Sequence, residues 1–294
     1  MKSLSPFKRV AIALLSCALA FSCTKEAPDV APAARNTYEV AVTDFSATRG
    51  TMHIGGKLYL PKDVEGRKAA VILCHGIFGS HKSLAVYAES AASMGIAAVC
   101  FDFCGGPAGA SLSDGTSKEN SILSELQDLQ AVYETLRLRT DINLSRIAVM
   151  GASQGGLVAS MFAAENPSSV KALGLFYPAF NLPDLVRTIF NTLYKGDIDK
   201  MPETIGILDY TFSKKYVQDA CTLYPFNIIG NYNGPVNILH GDKDFIVPLE
   251  NSEKAVEIYK DASLTVLKDQ GHIFNNAGKE QAAEIVEKWL LKVL

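Results

Sequence analysis

Among all stretches of the sequence, Gly151-Ala152-Ser153-Gln154-Gly155-Gly156 most constrains the fold, because of what flanks it. Residues 146–150 form a short apolar run that reads as a buried strand, and residues 154–165 carry a helical pattern. A chain that passes from strand to helix at a single residue needs a sharp turn. Small neighbours at Gly151 and Gly155 allow Ser153 to be held in a strained backbone conformation, with its hydroxyl thrust out at a helix N-terminus.

The same alternation runs through the rest of the chain. Residues 69–74 read as a strand and 83–94 as a helix, 96–101 as a strand and 117–138 as a helix, and 170–176 as a further strand. Residues 236–239 (strand), 249–260 (helix), 264–267 (strand) and a helix from Lys279 complete the series. Strand and helix in turn mean a mostly parallel, doubly wound α/β sheet with both faces covered. Ahead of it, residues 38–60 alternate polar and apolar about the turn signal Arg49-Gly50, which predicts an antiparallel hairpin. Residues 178–234 supply no obvious sheet strand, but include a helical stretch at 182–194 and a Tyr- and Phe-rich segment at 210–226. This segment is expected to form an inserted cap over the C-terminal edge of the sheet, where open α/β sheets bind ligands. Its aromatic residues Tyr194, Tyr210, Phe212, Tyr216, Tyr224 and Phe226 suit either the core of the cap or the lining of a pocket.

A serine hydroxyl attacks only when a base takes its proton, and the base needs a carboxylate to orient it. For a nucleophile on such a turn, the acid follows in chain order and then the histidine. His272, in Gln270-Gly271-His272 after the last short strand, is C-terminal to both Ser153 and the acid-bearing strand. The loop after strand 236–239, His240-Gly241-Asp242-Lys243-Asp244-Phe245-Ile246-Val247-Pro248, offers Asp242 and Asp244. The backbone N–H of Gln154, next to the nucleophile, is one expected oxyanion donor.

These residues together resemble the α/β-hydrolase superfamily over the chain from about Tyr38 onward. The acid loop resembles H-G-x-x-D-x-x-V-P, which implies Asp244 as the triad acid and leaves Asp242 as a turn former. His75-Gly76-Ile77-Phe78-Gly79 resembles the H-G-x-x-G loop, which implies Ile77 N–H as the second oxyanion donor and a structural role for His75. Within the superfamily the chain is most similar to cinnamoyl or feruloyl esterases and related acyl-ester hydrolases, through Gly-x-Ser-Gln-Gly-Gly and the insertion before the acid strand. The resemblance implies a carboxylic-ester hydrolase that forms a covalent acyl-enzyme, needs no cofactor and acts on a small-molecule or glycan-linked acyl or hydroxycinnamoyl ester. Where relatives often carry Arg, this chain has Cys104, and residues 107–113 are altered with it, so substrate choice stays open. A serine peptidase of the prolyl-oligopeptidase kind and a non-catalytic surface-binding lipoprotein are the rival readings.

The N-terminus reads separately. Lys2, Lys8 and Arg9 precede the apolar run 10–21, which is shorter than the roughly 20 residues needed to span a bilayer, so residues 1–22 are expected to be a signal peptide. Ala20-Phe21-Ser22-Cys23 resembles a relaxed bacterial lipobox, which implies lipidation of Cys23, a flexible tether over 23–36, a hydrolase domain over 37–294 and an exported, membrane-anchored lipoprotein. A soluble secreted protein in which Cys23 is incidental is the other possibility. Cys74, Cys100, Cys104 and Cys221 do not suggest a disulfide framework, and the histidines at 53, 75, 81, 240 and 272 form no ligand-spaced pair, so no metal is expected. A net charge of -3 without a basic stripe argues against nucleic acid as a partner.

Overall fold

The computed structural model describes residues 37–106, 111–207 and 210–294. The expected signal peptide, tether and lipidation site at Cys23 lie outside the described residues. The chain starts with the antiparallel pair β1 (Val40–Arg49) and β2 (Met52–Pro61), closed at Gly50 with φ 60°. There follow β3 (Lys68–Cys74), α1 (Ala85–Ser93), β4 (Ala97–Phe101), α2 (Ile122–Arg137), β5 (Ile142–Ala152), α3 (Gln154–Glu165) and β6 (Ala172–Phe176). After an insertion come β9 (Val236–Gly241), α6 (Glu250–Ile258), β10 (Ala262–Leu267) and α7 (Asn276–Val293).

Eight strands form one mixed sheet in the order β1-β2-β4-β3-β5-β6-β9-β10. β2 runs antiparallel to both β1 and β4, and every other neighbouring pair is parallel. The central strands are apolar throughout because both faces are covered. Along β3, Ala70, Ile72 and Cys74 join one core with Leu129 and Leu136 of α2 and Phe162 of α3. Ala69, Val71 and Leu73 join the other, with Ala88 and Ala91 of α1 and Val286 and Leu290 of α7. The two-residue period of the strand thus feeds two separate helical layers.

Between β6 and β9 the chain makes α4 (Leu182–Tyr194), a two-stranded antiparallel hairpin of β7 (Thr204–Ile207) and β8 (Tyr210–Ser213), and α5 (Lys214–Thr222). None of these adds to the main sheet. Met201, Ile205 and Val217 form a small core of their own, which ties the hairpin to α5. Among the hydrogen bonds that fix this segment to the body are Tyr216 Oη to Gln154 Oε1 at 2.5 Å and Ser121 Oγ to Asp219 Oδ2 at 2.5 Å. Helix α2 starts at Ile122, later than the 117–138 pattern suggests. Thr116 and Glu119 close a separate turn upstream, and the N-cap is Ser121, reciprocally bonded with Ser124.

Candidate active site

The sheet reverses its winding at β3, whose neighbours are β4 on one side and β5 on the other, and such a reversal opens a crevice at the strand ends. Register places Cys74 opposite Gly151, so the loop after β3 and the turn after β5 emerge side by side. Ser153 sits on that turn with φ 54° and ψ −121°, a conformation that costs about 1 to 3 kcal/mol and needs over-determination by its surroundings. Its N–H donates to Phe176 O at 2.9 Å, and its carbonyl accepts from Ala179 N–H at 3.0 Å, which pins the turn to the end of β6. A Cβ at Gly155 would overlap the carbonyls of Cys74 and His75, so the sharp turn requires glycine there. Phe78 and Tyr177 also adopt positive φ, and both line the same cavity as Ser153, so backbone strain gathers at this site.

Ser153 Oγ lies 2.9 Å from His272 Nε2, and His272 Nδ1 lies 2.8 Å from Asp244 Oδ2. Asp244 is a carboxylate, so His272 Nδ1 carries the proton and Nε2 is free to accept the serine proton. Asp244 Oδ1 accepts from the N–H groups of Ile246 and Val247, each at 2.9 Å. His240 Nε2 adds a further contact to Oδ2 at 3.2 Å while facing Val247 O at 2.9 Å, and its Nδ1 meets Ser252 Oγ at 2.7 Å. Burial works against the Asp244 charge, but the hydrogen bonds from His240 and His272, joined by the His272 charge whenever both ring nitrogens are protonated, outweigh it and hold the carboxyl well below its ordinary range. Asp242, the other candidate acid, is exposed in the turn.

Gln154 is the first residue of α3, where backbone N–H groups have no intrahelical acceptor. Ile77 lines the cavity beside Ser153, in a loop that approaches so closely that a Cβ on Gly76 would stand 3.0 Å from Ser153 Cβ. His75 holds that loop: its Nδ1–H donates to Gly76 O at 2.8 Å, and its Nε2 accepts from Phe103 N–H at 3.2 Å. Burial lowers its pKa and so favours this neutral ring. The Tyr177 ring packs 4.7 Å from the His272 ring.

The cavity over Ser153 has a volume of about 560 Å³, within the range of small-molecule sites. Of the insertion's aromatic residues expected to suit a core or a pocket, Tyr194, Phe212 and Tyr216 line it, and so does Phe190 of α4. Tyr224 instead stacks under Arg187, and Phe226 packs on Phe180. The side chain of Tyr210 lies outside the described residues. Sequence reading missed His240, although it stands four residues before Asp244. It also missed Tyr177, whose position gives no pattern, and Glu125. The Glu125 carboxyl is buried on α2 against the side chains of Gln154 and Asn120, and burial pushes its pKa up to about 8. Cys104 is buried, its N–H bonded to Asp128 Oδ2 at 2.8 Å, and Arg49 reaches the other oxygen of that carboxylate at 2.5 Å from β1. The cysteines at 74, 100, 104 and 221 are free thiols.

Comparison with known proteins is consistent with this arrangement. The family described as "Serine aminopeptidase, S33" matches residues 65–205. An uncharacterized protein of Mycobacterium tuberculosis is 28% identical over 212 residues, covering 71% of this chain and 64% of that protein. The mitochondrial palmitoyl-protein thioesterase ABHD10 of Pongo abelii is 28% identical over 214 residues, covering 67% of this chain and 63% of the thioesterase. The chain therefore spans just under two thirds of the length of these relatives. Among solved structures, Est1E from Butyrivibrio proteoclasticus with ferulic acid bound superposes with a TM-score of 0.77 at 25% identity, covering 85% of this chain and 98% of that one. The strand order, the strained serine turn and these likenesses together show the α/β-hydrolase fold, within which residues 65–205 resemble the serine aminopeptidase, S33 family.

Proposed function

We propose that the protein is a carboxylic-ester hydrolase, and the observation that carries this reading is the continuous hydrogen-bond chain Ser153–His272–Asp244 opening into an apolar cavity. In the first half-reaction Ser153 Oγ bonds to the ester carbonyl carbon as His272 Nε2 takes its proton. The tetrahedral oxyanion faces the N–H groups of Gln154 and Ile77, and a donor of this kind contributes about 2.7 to 4 kcal/mol to catalysis. The C–O bond then breaks, and the alcohol leaves with the proton from His272. In the second half, water attacks the acyl-enzyme through the same base, releasing the acid and restoring Ser153. Asp244 keeps the imidazole oriented and stabilises its charged form throughout. The substrate is a small-molecule or glycan-linked ester of an acyl or hydroxycinnamoyl group, a class supported by the ferulic acid bound to Est1E and by the thioesterase relative. In this reading the chain is exported and held at a membrane by a lipid on Cys23.

The family description favours a second reading, an aminopeptidase. Such an enzyme must hold a free α-ammonium group, which calls for a carboxylate in the pocket. Among the described residues lining the cavity there is neither Asp nor Glu. Parallel assays of p-nitrophenyl acetate and butyrate, methyl ferulate and aminoacyl p-nitroanilides test the choice. Ester turnover with inert anilides is expected; faster anilide than ester turnover would install the peptidase reading instead.

A further inference from the structure

Helix α4 carries Leu182, Leu185, Val186, Ile189 and Phe190 at spacings of three and four residues, an apolar stripe of the kind that ordinarily packs into a core. Here Pro183 is the one buried residue of the helix, and all five stripe residues face the cavity over Ser153. The lining is completed by the loop after β3, the Ser153 turn, and Ile246 and Ile273, which follow the acid and the base in the chain. Apart from His272, Lys279 is the only basic side chain among the described lining residues, and no acidic one is present. The Tyr216 hydroxyl is already engaged with Gln154 Oε1 at 2.5 Å.

We propose that this cavity binds the unbranched alkyl chain of a medium- to long-chain acyl ester, with the chain lying along α4 and the carbonyl at Ser153. Chemistry separates this ligand from a hydroxycinnamoyl group of similar bulk. Along the α4 stripe the lining offers only apolar contact, which suits methylene groups, whereas a phenolic hydroxyl removed from water needs a polar partner such as Asn181 Oδ1, a buried lining atom without a hydrogen-bond partner among the described residues. A cavity of about 560 Å³ is in the range of sites that enclose ligands well beyond the size of an acetyl group, which leaves room for a chain of many carbons. The alkyl specificity rests on the ester-hydrolase reading for its chemistry but not for its binding, so the two can fail separately.

Binding is tested on Ser153→Ala by calorimetry with butyrate, octanoate, dodecanoate (below its micellar concentration) and ferulate. Affinity is expected to rise about two- to fourfold per added methylene, with ferulate bound more weakly than dodecanoate. Turnover is tested on the wild-type protein with p-nitrophenyl esters of 2 to 16 carbons, where kcat/KM is expected to climb to at least 10 carbons. Ile189→Trp, which fills the channel, is expected to move that optimum to shorter chains. Affinity independent of chain length, or ferulate bound more tightly than dodecanoate, would overturn the proposal while leaving the hydrolase reading intact. Chain-dependent binding without turnover of any ester would retain the alkyl site and overturn the hydrolase.

Discussion

Asp244 spends all its acceptor capacity on fixed donors: two backbone N–H groups, His272 and His240. That arrangement keeps it charged and keeps the proton on His272 Nδ1. Asp244→Asn preserves the shape but turns a donor toward the ring, which forces the wrong tautomer. The expected loss is about 10³- to 10⁴-fold in kcat for ester hydrolysis; a loss under tenfold would remove Asp244 from the mechanism. Glu125 behaves in the opposite way. Burial raises its pKa from the ordinary 4.5 to about 8. Between these values the folded protein holds a proton that the unfolded chain has released, so rising pH across that window lowers stability. Glu125→Gln removes the titration, and its melting temperature is expected to exceed that of the wild type at pH 8.5 and to vary less between pH 5 and 8.5. A parallel pH dependence in both proteins would refute this. Ser153 and His272 were legible in the sequence because local motif and chain order identify them. Glu125 was not, because its position on α2 gives no hint that Gln154 and Asn120 seal it from water.

At the scale of elements, the turn from β5 to α3 is a compact junction of three backbones. Gly155→Ala places a methyl group against the carbonyls of Cys74 and His75, neither of which is the tip of a flexible side chain. Chemical denaturation is expected to show a loss of about 2 to 3 kcal/mol, with ester turnover falling further because Ser153 is displaced; an unchanged midpoint would mean that the junction is looser than described. Strand and helix positions were readable from periodicity, and α3 and α4 match the sequence reading to the residue. The start of α2 was not. Thr116 and Glu119 imitate a capping signature through a local turn, and only the Ser121–Ser124 pair shows where helical bonding begins. The β7–β8 hairpin also escaped notice, since four-residue strands away from the main sheet leave too short a pattern.

Across the whole molecule, the sheet supplies the rigid edge and the 178–234 insertion supplies the wall that faces it. Composition located this insertion by what it lacked, strands for the sheet, while its apolar stripe on α4 acquires meaning only once the cavity is seen. A lipid on Cys23, as proposed, would hold the whole domain at a membrane through the short stretch 23–36. Cys23→Ala is expected to move the protein from the membrane to the soluble fraction on cell fractionation, and unchanged membrane association would contradict lipidation. Activation of Ser153 as a nucleophile by His272 and Asp244 can be read by intact-mass spectrometry after treatment with a fluorophosphonate. One adduct per chain is expected, mapped to Ser153 and absent from folded Ser153→Ala; folded wild-type protein that takes up no adduct, or carries it on another residue, would rule out Ser153 as the nucleophile.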